Sequence, residues 1–224
     1  MRALLSFLSF FMVLAAVAVA GGFVWGWQKY NAPGPLPQAT LFTVERGQGV
    51  SYIARNLADA GIINDLMVFR AVSRLSGRDK VLKAGEYEFP AHVSMSVVLD
   101  KLAHGDVFQR RITVREGLTS WQIVNILNDA ADLAGEMIAT IPDEGTLLPE
   151  TYSYVTGDTR TDKIEQMKKA MTETIDELWQ SRDEGIPILS KAEAVILASI
   201  VEKETGVAAE RARIAGVFEN RLRI

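Results

Sequence analysis

The sequence of 224 residues contains no cysteine and only two histidines, His92 and His104. Without cysteine the chain can form no disulfide, bind no zinc through thiolates and use no cysteine nucleophile. With two histidines a serine–histidine triad has few possible bases, and a lone histidine is more often a solvated or loop residue. The formal net charge of −4 lacks the basic excess that usually accompanies nucleic-acid binding. No nucleic-acid partner is therefore expected.

Charged residues are also absent between Arg2 and Lys29. An apolar run of this length is enough for a membrane-spanning helix, which needs about 20 residues. The alternative is a cleaved secretory signal, because the sequence Ala-Val-Ala at 18–20 resembles a small-residue cleavage site. Arg2 and the terminal amine favour an N-terminus inside the cell.

The apolar run continues beyond the possible cleavage site, and this favours an uncleaved anchor. Phe23, Trp25 and Trp27 follow it, and the tryptophans suit the aromatic belt of a membrane interface. The sequence therefore predicts a cytoplasmic tip and transmembrane anchor over residues 1–28, with everything after Lys29 facing the periplasm or exterior. Residues 29–40, with "NAPGPLPQAT" at 31–40, predict a stiff proline-rich linker.

After the linker, hydrophobic periodicity predicts a small α+β unit. Strands are predicted at 41–44 and 84–89, with helices at 51–61 and 64–77 between them. Asn64 or Asp65 is a possible N-cap of the second helix, and Gly77 a possible stop. A further helix is predicted at about 94–105, with Ser94 or Ser96 as a possible cap and Gly105 at its end.

The segments "TVERGQGVSYIARNLADA" from Thr43 and "TVREGLTSWQIVNILNDA" from Thr113 are a partial repeat. They align without gaps and predict two copies of a strand–turn–helix. The matching pairs are Thr43/Thr113, Val44/Val114, Gly47/Gly117, Ile53/Ile123, Leu57/Leu127, Asp59/Asp129 and Ala60/Ala130.

Beyond the second copy, residues 144–160 are predicted as a loop with a short strand, because three turn-forming residues punctuate them. A binding surface is the alternative for this segment, which is rich in threonine and tyrosine. A helix is predicted over 161–179, and its apolar stripe is expected to belong to the core. The stripe consists of Ile164, Met167, Met171, Ile175 and Leu178.

Two glutamates, Glu202 and Glu204, end a helix that begins at Ser190, where Ser190 and Glu193 form a capping-box pattern. The helix carries apolar residues on both faces and is predicted to be buried nearly all round, with Glu204 on the face of Leu197 and Ile200. A carboxyl group in apolar surroundings keeps its proton more readily, as a general acid near neutral pH requires. The alternative is that both glutamates are solvated or paired with a neighbouring Lys203, Arg211 or Arg213.

The chain resembles the endolytic murein transglycosylase family, the YceG-like proteins, in "LASIVEKETGVAAERARIAGVFENRL". The segments "AGEYEF", "REGLTSWQI" and "LLPETYSY" occur in that family's order and spacing. The resemblance implies that the second glutamate of the E-K-E-T string, Glu204, is the catalytic residue and that Glu202 is structural and ion-paired. It also implies that Glu150 and Tyr152 contact the sugar, and that no metal or organic cofactor takes part.

The implied reaction cuts the β-1,4 bond from N-acetylmuramic acid to N-acetylglucosamine in nascent glycan strands. It leaves a 1,6-anhydro end and needs one essential carboxylate instead of the usual pair. The implied fold is α+β, with a transmembrane helix, a LysM-like glycan-binding subdomain over 41–110 and a mostly helical catalytic region over 111–224 that contains a lysozyme-like helix pair. The sequence ends at "ENRLRI", inside a predicted helix, so the catalytic region is expected to be incomplete.

The expected partners are peptidoglycan strands, the inner membrane and peptidoglycan synthases. Two other functions stay open. In one, the chain is a non-catalytic, membrane-anchored scaffold that binds peptidoglycan. In the other, it is an interaction protein of the division or elongation machinery.

Overall fold

The N-terminal apolar run forms one long helix, α1 (Arg2–Asn31). The computed structural model describes the backbone of residues 2–224 and the side chains of residue 7 and residues 10–224. Within that part of the chain, Phe10–Asn31 is the one helix long and apolar enough to cross a membrane. Met1 and the side chain of Arg2, on which the predicted orientation depends, lie outside the described residues.

The chain divides into two units, residues 1–108 and 109–224. In the first, strand β1 (Thr40–Val44) is followed by α2 (Val50–Asp59), α3 (Leu66–Leu75), a short 3-10 turn (Arg78–Lys80), β2 (Gly85–Phe89) and α4 (Met95–His104). Strands β1 and β2 pair antiparallel, with Phe42 opposite Tyr87. Their inner residues and three helices enclose one apolar core, in which Leu57, Phe69 and Leu99 are fully buried.

The predicted caps of this unit are confirmed, because side chains satisfy the free N–H groups at the helix starts. Asp65 Oδ1 accepts from Met67 N and Val68 N at 3.0 Å each, which starts α3. Ser94 caps α4, and Gly105 ends it in the left-handed region with φ 76°. Asp65 Oδ2 also accepts from Lys29 Nζ at 3.3 Å, so the cap of α3 holds the end of α1.

The proline-rich segment is not a free spacer, because part of it packs into the first unit. Leu36 and Tyr30 are 3% and 6% exposed, in the same core. Gly34 N donates to His92 O at 3.1 Å, and His92 N donates to Leu36 O at 2.8 Å. The end of α1 and residues 34–36 are therefore built into the first unit and do not act as a loose tether.

Gly34 gives the first test of this packing. A Cβ at this position would lie 2.2 Å from the backbone oxygen of Val93, which cannot move aside as a flexible side chain can. We expect Gly34→Ala to lower the free energy of unfolding of the first unit by about 1–3 kcal/mol. Urea unfolding in detergent micelles measures the loss. Gly26→Ala, which would meet nothing within 4 Å, is the control, and equal stability of the two variants would contradict the packing.

The second unit begins with β3 (Arg110–Thr113) and α5 (Ser120–Asp129), and continues with β4 (Thr151–Tyr154) and α6 (Arg160–Gln180). Strands β3 and β4 pair antiparallel, with Ile112 opposite Tyr152. The helices α7 (Lys191–Glu204) and α8 (Ala208–Leu222) complete it. The architecture is therefore α+β, with short sheets and a predominance of helix.

The predicted repeat is confirmed by the structure. In each copy a strand leads through a glycine turn to a helix, with Gly47 at φ 84° and Gly117 at φ 71°. A residue with positive φ favours glycine, which explains why both copies keep it. Three matched apolar pairs are buried in both copies: Val44 and Val114, Ile53 and Ile123, Leu57 and Leu127.

The predicted core stripe of α6 is confirmed only in its first half. Ile164 and Met167 are buried, whereas Leu178 is 58% exposed. The inner face of the first turn carries two cations that the stripe did not include, Arg160 and Lys163, which are 9% and 8% exposed. Hydrogen bonds to backbone oxygens make this burial possible, because a buried charge must be paired or fully hydrogen-bonded.

Candidate active site

The E-K-E-T string lies where α7 ends and the chain turns into α8. Ser190 Oγ accepts from Glu193 N at 3.2 Å, and Glu193 Oε2 accepts from Leu189 N at 2.7 Å, so a reciprocal cap starts α7. At the other end Thr205 is extended, with φ −150°. The buried hydroxyl of Thr205 accepts from Val207 N and donates to Glu210 Oε2, at 3.0 Å each. This hydroxyl holds the turn that follows Glu204.

Glu202 is ion-paired, as the sequence predicted. Its Oε2 lies 2.9 Å from Arg211 Nη2, and its side chain is 25% exposed. The pair connects the last turn of α7 to the first turns of α8. A partly exposed pair of this kind contributes little stability by itself, but it turns the carboxylate of Glu202 toward Arg211 of α8.

Glu204 is the last residue of α7, and its side chain is exposed. The prediction that α7 is buried nearly all round was wrong, because Val201 is the one buried residue of this helix. Ile196 and Ile200 are 59% and 38% exposed. A helical wheel shows which residues share a face, but it does not show whether another element covers that face.

The opposite face of α7 lies on two glycine turns. A Cβ on Gly117 would lie 3.3 Å from Lys203 Nζ and 3.8 Å from Glu202 Cγ. A Cβ on Gly145 would lie 2.7 Å from Val195 Cγ1. Val195 and Glu202 are seven residues apart and therefore share one helix face. The structure thus brings "REGLTSWQI", the residues before "LLPETYSY" and the end of α7 together.

Tyr152 belongs to the core of the second unit and does not line an open surface. Its ring is 5% exposed, and its hydroxyl donates to Leu148 O at 2.7 Å. Glu150, two residues earlier, is exposed, and its Oε1 accepts from Thr151 N at 3.0 Å. Within the described part of the chain, no hydrogen bond or ion pair joins either residue to Glu204.

Burial raises the pKa of Tyr152 to about 12, and the negative charge of Glu150 adds to the rise. Since this pKa is raised on folding, the phenol stabilises the unit below pH 10 and loses that contribution as the pH rises through 12. We expect Tyr152→Phe to cost about 1 kcal/mol at pH 7, where the hydrogen bond to Leu148 is lost. Above pH 10 the native chain should lose roughly 2–3 kcal/mol that the variant does not lose.

The two stability curves should therefore cross between pH 10 and pH 12. Urea unfolding at a series of pH values, followed by the fluorescence of Trp121 and Trp179, measures the crossing. Ser153→Ala, at an exposed neighbour, is the control and should follow the native chain. Parallel curves for Tyr152→Phe and the native chain up to pH 12 would contradict the assigned burial of the phenol.

Two grooves lie along α7, and neither is lined by Glu204. The larger, of about 810 Å³, is bounded by residues 140–146, α6 and the first half of α7. The smaller, of about 260 Å³, is apolar and lies between α7 and α8, where Leu197, Ile200 and Phe218 meet. In the described residues, no three His, Cys, Asp or Glu side chains come together as a metal site would require.

Sequence reasoning missed the two glycine turns as supports of α7 and the buried cations of α6. The repeat already contained one signal, since it placed Gly117 at the position of Gly47. Nothing in the linear sequence indicated that α7 lies on the Gly117 turn, because that contact joins residues far apart in the chain.

Comparisons with known proteins identify the family of this chain. A family model described as the YceG-like family matches residues 42–224. A relative from Streptococcus pneumoniae, called endolytic murein transglycosylase, is 25% identical over 97% of this chain and 47% of its own length. A Bacillus subtilis relative of the same name is 24% identical over 92% of this chain and 65% of its own length. The chain thus spans about half to two thirds of these relatives.

One solved structure is also similar. It is the crystal structure of a YceG-like protein from Listeria monocytogenes, with 23% sequence identity and a TM-score of 0.38. The match covers 82% of this chain and 70% of the Listeria chain.

Proposed function

Because the chain belongs to the YceG-like family, we propose that it acts in an endolytic murein transglycosylase that cuts peptidoglycan glycan strands internally. What supports this proposal is the name shared by the relatives from Streptococcus pneumoniae and Bacillus subtilis, which match over more than nine tenths of this chain. The cut strand would end its growth there, so the reaction would contribute to cell-wall assembly.

In the proposed reaction Glu204, protonated, donates its proton to the oxygen that links N-acetylmuramic acid to N-acetylglucosamine. The bond from the anomeric carbon of the muramic acid to that oxygen breaks, and N-acetylglucosamine leaves with a free 4-hydroxyl. The carboxylate of Glu204 then takes the proton of the muramic acid C6 hydroxyl, whose oxygen bonds to the same anomeric carbon. No water is consumed, and the new end is a 1,6-anhydro sugar.

The choice of Glu204 rests on one difference between the two glutamates. Of the two glutamates at the end of α7, Glu202 is held by Arg211, whereas Glu204 is exposed beside the turn. A general acid must reach the oxygen that it protonates, and Glu204 is the more exposed of the two glutamates. A glycan strand lying over the turn would exclude water from Glu204, which is exposed in the free chain.

Glu150 is the proposed sugar contact of the neighbouring loop, because its carboxylate is exposed and can accept hydrogen bonds from sugar hydroxyls. Tyr152 takes an indirect part in this proposal. Its buried ring fixes the strand that follows Glu150, and its hydroxyl is already bound to Leu148. The resemblance implied sugar contacts for both Glu150 and Tyr152, and the contact is proposed here for Glu150 alone.

Residues 41–110 are the proposed LysM-like glycan-binding subdomain, and residues 111–224 the part of the catalytic domain contained in this chain. The support for the first is the order strand, helix, helix, strand, with β1 and β2 paired antiparallel. The proposed location is the inner membrane, with a single pass by α1, the N-terminus inside and both units in the periplasm. Peptidoglycan synthases are proposed partners, since newly made strands are the substrate.

The reaction class can be tested with uncrosslinked glycan strands in oxygen-18 water, using the full chain in detergent micelles. We expect 1,6-anhydro ends without the heavy isotope, since the acceptor is the sugar's own hydroxyl. Reducing ends that carry the heavy isotope would identify a hydrolase. Intact strands, still bound in a pull-down, would support the non-catalytic scaffold, and loss of both cutting and binding would favour the interaction protein.

A further inference from the structure

The repeat extends well beyond the strand–turn–helix that the sequence shows. We call β1, α2, α3, β2 and α4 (residues 40–104) the first module, and β3, α5, β4 and α6 (residues 110–180) the second module. In each, the second strand pairs with the first in the same register, so that Tyr87 and Tyr152 occupy equivalent positions. Ser94 and Thr159, each five residues after the strand ends, cap the next helix.

Hydrogen bonds repeat with the same spacing. Tyr87 Oη donates to Lys83 O at 2.7 Å, as Tyr152 Oη donates to Leu148 O at 2.7 Å. The backbone N of Lys83 donates to Leu102 O, and that of Leu148 donates to Met167 O. The buried positions of the two closing helices also match one for one: Met95, Val98, Leu99 and Leu102 in α4 with Arg160, Lys163, Ile164 and Met167 in α6.

The two modules differ at the turn between their first strand and first helix. A Cβ on Gly47 would meet nothing within 4 Å, so the turn of the first module is open at that position. A Cβ on Gly117 would lie against Lys203 and Glu202, at 3.3 Å and 3.8 Å. Both glycines have positive φ and both follow a buried valine. They differ because the end of α7 lies against the turn at Gly117.

We propose that the second module is a copy of the first whose strand-to-helix turn has become the support of the catalytic helix, with Gly117 as a positioning residue for Glu204. This inference rests on the proposed function of Glu204. The last turn of α7 lies against the Gly117 turn, and the partly exposed ion pair from Glu202 to Arg211 adds little to that support. Glu204 lies 200° around the helix from Glu202 and therefore projects on the other side.

Gly117 suits this role because it has no side chain. A β-carbon alone would lie in ordinary contact with Glu202 Cγ and would need only the flexible end of Lys203 to give way. A longer side chain would compete with Glu202 and Lys203 for the space beneath the last turn of α7, and so shift the helix end that bears Glu204. A displacement of about 1 Å in a catalytic group can cost roughly a hundredfold in rate. Gly117 touches no reacting atom, and its effect passes through α7.

The equivalent glycines provide a matched test, Gly117→Asn against Gly47→Asn. Asparagine tolerates the left-handed region, so backbone strain is small and similar at both sites. We expect Gly117→Asn to lower kcat for strand cleavage roughly ten- to a hundredfold, with KM little changed. Gly47→Asn controls for the backbone change, and it is judged by hydrogen exchange because residue 47 lies in the proposed glycan-binding subdomain. Adding Lys203→Ala to Gly117→Asn should restore most of kcat by removing the nearest obstacle.

Hydrogen exchange of residues 200–206 tests the support without reference to activity. We expect faster exchange there in Gly117→Asn, native-like exchange in Gly47→Asn, and partial recovery with Lys203→Ala. Native exchange and native kcat in Gly117→Asn would overturn the inference, as would equal effects of the two asparagines on residues 200–206. If the unsubstituted chain cuts no glycan, the proposed function fails, while the exchange data still decide whether the turn supports α7.

Discussion

Glu204→Gln is expected to reduce the rate of glycan cleavage by roughly 10²–10⁴-fold. Glutamine keeps the size and the hydrogen-bonding capacity of the side chain, but it cannot deliver a proton to the leaving oxygen or take one from the C6 hydroxyl. Binding should persist, because the amide can still contact sugar hydroxyls. Initial rates of fragment release and the affinity for uncrosslinked strands, measured on the same preparation, separate the two effects.

Glu202→Gln is the matched control, since it makes the same chemical change two residues earlier. It weakens the contact with Arg211, whose side chain is 44% exposed, and should cost less than about 1 kcal/mol of stability. We expect its rate to fall by no more than a fewfold. A loss in Glu202→Gln as large as that in Glu204→Gln would show that the acid is wrongly assigned.

Arg160→Met is expected to destabilise the second unit by about 3–4 kcal/mol. The guanidinium of Arg160, 9% exposed, donates to six backbone oxygens. They belong to Leu127, Asn128, Ala130, Leu133, Ala134 and Gly135, at 2.7–3.3 Å. Removing it leaves the oxygens of Asn128, Leu133 and Gly135 without a donor, because those of Leu127, Ala130 and Ala134 also accept from backbone N–H groups. An unsatisfied buried polar group costs about 1–3 kcal/mol.

Methionine is the informative replacement, because Met95 occupies this position in the first module and is fully buried there. In the first module the end of α2 is capped by backbone donors, since Ile62 N and Ile63 N both donate to Leu57 O. In the second module Ala130 N likewise donates to Leu127 O, but no helix equivalent to α3 follows α5. Arg160 is the donor to the oxygens of Asn128, Leu133 and Gly135 instead. Methionine can fill the space of the arginine stem but donates no hydrogen bond, so we expect Arg160→Met to stay destabilised.

Urea unfolding of the full chain, followed by tryptophan fluorescence, measures this loss. Arg160→Lys should be intermediate, because an ammonium group keeps the charge but offers three donors where a guanidinium offers five. Arg213→Met, at an exposed arginine of α8, should change stability by less than about 0.5 kcal/mol. Native stability of Arg160→Met would mean that water or neighbouring backbone can satisfy the six carbonyls.

The sequence predicted local structure well where the signal is periodic or chemical. Asp65 and Ser94 were identifiable as caps because a side-chain oxygen just before a helix accepts hydrogen bonds from the free N–H groups of its first turn. The repeat was visible because both copies need a glycine with positive φ and a buried valine before it. These features depend on neighbours in the chain, which a linear sequence displays.

The features that could not be predicted depend on contacts between distant segments. Arg160 lies in a strongly polar stretch, and its burial follows from carbonyls that lie 25 to 33 residues earlier. The apolar residues of α7 suggested burial all round, yet Ile196 and Ile200 remain partly exposed because nothing described in this chain packs over them. Tyr152 was expected to meet sugar, but its hydroxyl is already bound to Leu148.

The most direct test of the central claim is a mass-spectrometric analysis of fragment ends after the native chain and Glu204→Gln digest the same glycan strands. Equal folded amounts of the two proteins should be compared, with Glu202→Gln in parallel. The account predicts 1,6-anhydro ends from the native chain and Glu202→Gln, and few or none from Glu204→Gln. Anhydro ends released at the native rate by Glu204→Gln would contradict it.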